Sequence, residues 1–443
     1  RILIYCLPLL LLVACEAPVP QQENEPKPVD FPTPGEPTQT IQRAASSTLS
    51  SEQYYDKVLG LLVGSAIGDA MGAPVEMWDR GRIQNRYGFI DDLIPNVRNA
   101  SAEGTWKTNL PPGTSTDDTR WKWLMVKYFS SLPEVYNNTF TNATANSFAQ
   151  FLVDEYQQLK ETIIARDGLN PNDLEANVRY LQWLQEWVKV AEAWLSNDVA
   201  AYSNAANRFY GGEMACGGML YAPALALLVP GQSAAAYQLG WDLSIFDIGY
   251  AKDISGMTAA LTAAAFDPAM TTDSLLGLHY STDPMQMADS RLIGRIINGI
   301  YENALADYAN SFRESRHNNK QQKDIVLPAY FQSDTSKYRL MQGLYRRMDQ
   351  RLQDIAFHAN EIYMITLYSL LFADGNFMDA MVFITNYGRD NDTVGAVVGA
   401  ILGAQLGFTN LPKGLSQKVL EANRRVLNID LEQLARQMTQ TDS

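Results

Sequence analysis

Histidine and cysteine, which carry much of enzyme chemistry, are scarce in this chain: three of each among 443 residues. Cys6 and Cys15 lie in the first segment, leaving Cys216 alone in the body, so neither a disulfide framework nor a Cys/His zinc site is available. His279, His317 and His358 have unrelated neighbours, which leaves a histidine-driven triad without support. Basic charge is in deficit. With 35 Lys and Arg against 49 Asp and Glu, the formal net charge is -14, which argues against a nucleic-acid binder with its basic face. Convincing alternating strands and repeats of fixed period are missing as well. Any chemistry falls to carboxylates.

The opening stretch RILIYCLPLLLLVAC has a basic start, an apolar run of signal-peptide length and then a cysteine. It is too short to span a bilayer as a mature helix and reads as a secretory signal. Leu12-Val13-Ala14-Cys15 resembles a bacterial lipobox. It implies a signal peptide over residues 1–14, acylation of Cys15, and a protein anchored by lipid to a membrane of the bacterial cell envelope. Residues 15–50 form the expected tether: seven of the chain's 20 prolines fall within them, among Gln, Glu, Thr and Ser without apolar period.

From residue 51 to 443 the pattern is helical nearly throughout and predicts one all-α domain. TRWKWLMVKYF places Trp121, Leu124, Met125, Tyr128 and Phe129 on one helical face. Helices are also predicted over 178–195, 234–251, 257–266 and 417–428, with two more sharing 338–372. Long loops are expected near 79–116 and 266–290. The aromatic residues around 150–200 are expected to be core. A monomer is the default expectation, since nothing in the sequence fixes the oligomeric state.

Two stretches carry a glycine at every fourth position: Gly60, Gly64, Gly68 and Gly72, then Gly395, Gly399, Gly403 and Gly407. Each glycine costs a helix interior about 1 kcal/mol relative to alanine, so something must approach these helices closely. Both stretches are too short and interrupted to pair in a membrane, and the better reading is two core helices packed on their small faces.

Close packing does not explain the acids punctuating these stretches. Asp69 stands within the first ridge and Glu76 just beyond it, Thr116-Asp117-Asp118-Thr119 opens the helix containing Trp121, and Asp390-Asn391-Asp392-Thr393 opens the second ridge. Helix N-caps favour Asp and Thr, but a cap needs one residue, and each of the last two clusters offers two carboxylates and a hydroxyl. Brought together, they make an all-oxygen cage for hard divalent cations. Four carboxylates in one site repel unless cations neutralise them, and their number favours two ions, Mg²⁺ or Mn²⁺.

The ordered set G-D-x-x-G-x-x-x-E, T-D-D-T and G-R-D-x-D-T with a glycine-spaced helix resembles the ADP-ribosylglycohydrolase family, over about residues 55–410. The resemblance implies a compact all-α fold and a binuclear centre held by Thr116, Asp117, Asp118, Asp390, Asp392 and Thr393. Glu76 matches the family's glutamate near the scissile bond and, with Asp118 and Asp390, is the expected catalytic group. Substrate contacts are expected at Asp69, Gly217, Gly218, Met219, Tyr387, Gly388 and Arg389. The implied substrate is an ADP-ribosyl adduct or a smaller ribosyl compound. Cleavage at ribose C1 passes through an oxocarbenium-like state that carboxylates stabilise, while bound ions orient the ribose hydroxyls and a water. A relative that kept the fold as a binding or structural protein is the reading from another class.

The resemblance is incomplete. Where the family has a GNGAAMR-x-AP-like loop, this chain has MACGGMLYAP, with Ala215 at the asparagine position and Leu220 at the arginine position. A THP-like segment is replaced by AKDISG, 251–256. Cys216, inside this loop, reads as a buried, inert thiol.

Overall fold

The computed structural model describes residues 49–97, 109–132, 143–165, 171–316 and 326–439. Cys6, Cys15, the lipobox, nearly all of the tether and His317 lie outside these residues.

The described residues are overwhelmingly α-helical, with one two-stranded antiparallel sheet pairing Asn96–Val97 with Asn109–Leu110. The central helix, Ser51–Gly72, starts at a capping box: Ser50 Oγ accepts from Gln53 N at 3.2 Å, and Gln53 Oε1 accepts from Ser50 N at 2.9 Å. Beyond its first two turns every residue is buried. By length and composition this segment could cross a membrane, yet its apolar stretch is enclosed by protein.

The partner on its small face is the helix Asn391–Leu406, and the two run antiparallel. Gly60 lies on the backbone of Gly403, Gly64 on Gly399, Gly68 on Gly395, and Gly72 on Asn391 and Asp392. A methyl group on any of the first six would overlap a carbonyl oxygen of the facing glycine. The predicted close approach is thus one helix against the other. Its consequence is positional: this register sets Asp69 and Glu76, at the end of the first helix, against the Asp390–Thr393 start of the second.

The helix Asp117–Ser131 packs on both. Its Trp121 sits at the centre of an aromatic core, with ring centroids 5.1 Å from Trp183, 4.7 Å from Trp187 and 5.0 Å from Tyr221. The aromatics of the 171–195 helix that meet Trp121 are core, as expected.

Several predicted boundaries move. The helix expected over 234–251 ends at Leu243, where Ser244 Oγ turns back to donate to the carbonyls of Gly240 and Trp241, and a new helix starts at Ala251. Gly249, at φ +58°, makes the turn between them. The predicted loop near 79–116 contains the helix Arg80–Tyr87, which buries only Ile83 and so has no apolar period to read. Short helical turns, Thr272–Leu276 and Leu278–Ser281, also interrupt the loop expected near 266–290. The stretch 338–372 divides into Thr335–Met348 and Ala359–Ala373.

Candidate metal centre

Ordinary capping accounts for neither acidic cluster. At the Asp117–Ser131 helix the N-cap Thr116 makes no side-chain capping hydrogen bond. That role is filled from another helix: the Asp69 carboxylate accepts from Thr116 N (2.8 Å), Thr116 Oγ1 (2.8 Å), Thr119 N (3.0 Å) and Thr119 Oγ1 (2.7 Å). At the Asn391–Leu406 helix the N-cap Asp390 likewise makes no side-chain capping bond. With the helix start capped by Asp69, Asp117 and Asp118 are not needed to cap it.

The clusters meet although some 275 residues separate them. Thr393 Oγ1 donates to Asp118 Oδ2 at 3.2 Å, and Thr116 Oγ1 lies 3.5 Å from Asp392 Oδ2. One carboxylate oxygen each from Glu76, Asp390 and Asp392 lies within 4.8 Å of the others. Glu76 therefore belongs to the acidic centre itself, beyond its expected part as a proton-handling group beside it. Three converging carboxylates, with hydroxyls close by and no nitrogen or sulfur ligand among them, fit a hard divalent cation. Asp117 completes the acidic surroundings and adds to the negative field at Asp69, Asp118 and Asp390.

A backbone clamp fixes Glu76 opposite Asp390. Met77 N donates to Arg389 O and Arg389 N to Trp78 O, both at 2.7 Å. Met77 (φ +62°) and Arg389 (φ +64°) hold a left-handed backbone that costs a non-glycine residue energy. The Arg389 side chain offsets that strain: Nε and Nη2 donate to Glu361 Oε1 (2.6 Å) and Oε2 (3.0 Å), and Nη2 also reaches Gln353 O (3.0 Å). Glu361 is fully buried and also accepts from Gln353 N at 2.7 Å. Gly388 (φ +86°) has no room for a side chain against the Trp78 carbonyl.

Burial raises the carboxylates' affinity for protons. Burial first, and then the Glu76 carboxylate, push Asp390 up to about 7. Asp392 is lifted well above the usual range by burial and by Glu76, Asp390 and Asp118. Burial lifts Asp118 likewise, against the pull of Lys122, and raises Asp69 to about 6 despite its hydrogen bonds from Thr119 and Thr116. A carboxyl group that holds its proton more tightly folded than unfolded stabilises the fold below its unfolded pKa, roughly 4. It loses that contribution as pH rises through the folded value. The protein in EDTA is therefore expected to melt at a lower temperature at pH 7.5 than at pH 5. Excess Mg²⁺ or Mn²⁺ should recover most of the difference. A melting temperature that rises over this interval in EDTA would contradict the arrangement.

The structure encloses several residues expected to touch substrate. Asp69 is wholly buried, and its oxygens hold the Thr116–Thr119 turn. Met219 is wholly buried in the core, and Tyr387 packs against Tyr345 with ring centroids 5.1 Å apart. Gly217 and Gly218 are buried above Asp247, whose Oδ1 accepts from Gly218 N at 2.7 Å. Arg389 is committed to Glu361, and Gly388 to the clamp. This loop instead brings Cys216 Sγ to 3.9 Å from Asp390 Oδ2. Burial, and then the Asp390 and Asp118 charges, raise the thiol well above its usual pKa, which keeps it inert. Leu220, at the arginine position, is buried among apolar neighbours.

Sequence reasoning missed Glu361, Asp247 and Lys122. Glu361 and Asp247 carry no signal in spacing, because their partners, 8 to 29 residues away, fall at no helical or strand period. Lys122 does, standing one helical turn after Asp118.

The chain belongs to the ADP-ribosylglycohydrolase family, whose sequence model matches residues 50–443. Over 47 residues it is 43% identical to the Uncharacterized protein YegU of Escherichia coli (strain K12), covering 11% of this chain and 14% of that protein. Over 71 residues it is 35% identical to the ADP-ribosyl-(dinitrogen reductase) glycohydrolase of Rhodospirillum rubrum, covering 16% and 21% respectively. These alignments thus span about a fifth or less of either relative. A solved structure titled ADP-ribosylglycohydrolase-related protein complex aligns over 88% of this chain and 98% of its own, at 18% identity and a TM-score of 0.48.

Proposed function

We propose that this protein is a divalent-cation-dependent hydrolase of an N- or O-glycosidic bond to ribose, with an ADP-ribosyl adduct as the leading substrate. Family membership supports glycosidic hydrolysis as the reaction class. The observation that carries the metal dependence is the convergence of Glu76, Asp390 and Asp392 on one small volume. Asp118, Asp117, Thr116 and Thr393 stand around it, and Mg²⁺ or Mn²⁺ would be held among these oxygens. Such an ion supplies orientation of the ribose hydroxyls and a more acidic water.

The chain's own residues provide the rest. Glu76 is half-buried, so its carboxylate can accept a proton from water or stabilise positive charge developing at ribose C1. The Met77–Trp78–Arg389 clamp holds that carboxylate in place against Asp390, and Asp69 fixes the Thr116–Thr119 turn that presents Asp118. Cys216 and the buried 217–220 turn wall the centre on one side and shield Asp390 from solvent. Hydrolysis assays with ADP-ribosyl-arginine, ADP-ribosyl-serine, poly-ADP-ribose and simple nucleosides, each in Mg²⁺, Mn²⁺ and EDTA, test the proposal. Turnover unaffected by EDTA would overturn metal dependence. No turnover together with no tight divalent binding would favour a binding or structural role.

One observation favours a smaller ribosyl compound as substrate. Diphosphates are held by arginine forks or by free N–H groups at a helix start, and the loop 214–223 offers buried Leu220 where the family places arginine. A lost charge-assisted hydrogen bond costs about 1.5–3 kcal/mol, roughly ten- to over a hundredfold in affinity. Calorimetry at saturating Mg²⁺ is expected to show ADP-ribose binding no more than about tenfold tighter than ribose 5-phosphate. A gain of a hundredfold would mean that other residues hold the diphosphate.

The lipobox-like Leu12–Cys15 and the proline-rich stretch after it support a lipid-anchored envelope protein. Cys15→Ser is expected to move the protein out of the membrane fraction or to block its processing, as read by fractionation and labelling with a radioactive fatty acid. Unchanged membrane association would refute the anchor.

A further inference from the structure

Basic charge is in deficit over the whole chain, yet the helix that follows Glu76, Arg80–Tyr87, has three arginines and no acid. Arg80 is taken up by Asp349, Nη2 to Oδ2 at 2.6 Å. Arg82 and Arg86 are exposed, and among the described residues neither pairs with a carboxylate. They stand one turn apart on the same helix face, where like charges repel. The acid nearest in sequence, Asp79, caps the helix by accepting from the backbone N of Arg82 at 2.9 Å.

This helix is seated beside the acidic centre. Ile83 packs with Val75 and Ile90, and a Cβ on Gly388 would come within 2.9 Å of Ile83 Cδ1. Trp78 O accepts from Arg389 N, which ties the chain just after Glu76 to the chain just before Asp390. Trp78 follows Glu76 by two residues, a backbone separation of roughly 7 Å at most. The guanidinium carbon of Arg82 lies 3.7 Å from the centroid of the Trp78 ring. Tyr87 also stacks on that indole, with ring centroids 6.0 Å apart. The indole thus holds the guanidinium near Glu76 without occupying its N–H donors.

We propose that Arg82, held by Trp78 and with Arg86 one turn away, is a subsite for one phosphate group of the substrate. This rests on the ribosyl hydrolase reading above and adds where the substrate's anion is held. A guanidinium fork matches phosphate oxygens, and an aromatic ring against it restrains it by a cation–π contact. A nucleobase is the poorer occupant, because it would have to displace Arg82 to reach the indole face that Arg82 covers. The helix supplies a phosphate contact where Leu220 supplies none. A single fork serves ribose 5-phosphate as well as ADP-ribose, in keeping with the similar affinities expected for the two.

Calorimetry of the full chain at saturating Mg²⁺, with ribose and with ribose 5-phosphate, tests the subsite. Ribose 5-phosphate is expected to bind at least about tenfold more tightly than ribose, the weight of one charge-assisted contact. Arg82→Gln should remove most of that advantage and leave ribose affinity and melting temperature nearly unchanged, since Arg82 is exposed. Arg82→Lys, which keeps the charge without the fork, should retain part of it. An advantage undiminished in Arg82→Gln, or absent from the unsubstituted chain, would overturn the subsite and leave ribose binding at the metal centre standing. An equal loss of ribose affinity in Arg82→Gln would also overturn it, by showing that the arginine acts on the whole site. Binding of neither ligand by a chain that holds Mg²⁺ would overturn the ribosyl reading, and the phosphate subsite with it.

Discussion

Asp392→Ala is expected to abolish tight divalent binding and to reduce hydrolysis roughly a thousandfold or more while leaving the helical fold intact. Asp392 is the residue on which the arrangement converges: one of its oxygens belongs to the triad with Glu76 and Asp390, and Thr116 Oγ1 reaches toward its Oδ2 from the other cluster. A cation acting on the reacting centre is worth several kcal/mol, and each 1.36 kcal/mol is a factor of ten in rate. The stability effect has the opposite sign. Glu76, Asp390 and Asp118 all act on Asp392 to disfavour its charge, so without metal the alanine variant loses like-charge repulsion and should melt at or above the temperature of the unsubstituted protein in EDTA. Added Mg²⁺ should stabilise the unsubstituted protein and not the variant. Undiminished Mn²⁺ binding by Asp392→Ala, or a variant that unfolds in EDTA where the parent does not, would contradict this account.

Gly399→Ala is expected to cost about 3 kcal/mol or more, at or beyond the upper end of ordinary overpacking, although alanine is the better helix former. Propensity favours the substitution by about 1 kcal/mol, and packing opposes it more strongly. The added methyl overlaps the carbonyl oxygen of Gly64, which belongs to a backbone that is itself buried and cannot swing aside as a side chain would. Relief requires the two central helices to part, and their separation sets the distance from Glu76 to Asp390 and Asp392. Thermal melts should therefore show a large loss of stability, and any folded fraction should bind Mn²⁺ more weakly. A control at Gly414, where a methyl meets open space, should have little effect on either. Equal melting temperatures for the two variants would mean that the ridges are not in contact.

These two substitutions mark what could be read from the chain alone. The helical class followed from apolar period, since Trp121, Leu124, Met125, Tyr128 and Phe129 repeat as a buried face must. That the glycine ridges mean close approach also followed, because a glycine every fourth residue is costly unless something lies against it. The acids of Thr116–Thr119 and Asp390–Thr393 were legible as more than caps by their number. Membership of the family was legible from the three ordered motifs. In each case the signal is local: it lies within one helix or one short run of residues.

Tertiary structure decided everything that depends on which distant residues meet. Only the antiparallel register of Gly60 on Gly403 through Gly72 on Asp392 brings Glu76 into the centre. Asp69 was expected to touch substrate, and only the fold shows that four donors of the 116–119 turn surround it. Arg389 looked like a recognition residue, and its strained backbone and bond to Glu361 make it part of a clamp. The helix break at Ser244 and the short helix Arg80–Tyr87 escaped notice because side-chain hydrogen bonds and caps, not hydrophobic period, set them. Sequence determines what each segment prefers and which face it must hide. Which carboxylate faces a cation, a hydroxyl or another carboxylate is determined by packing, because a charge takes its meaning from its neighbours in space.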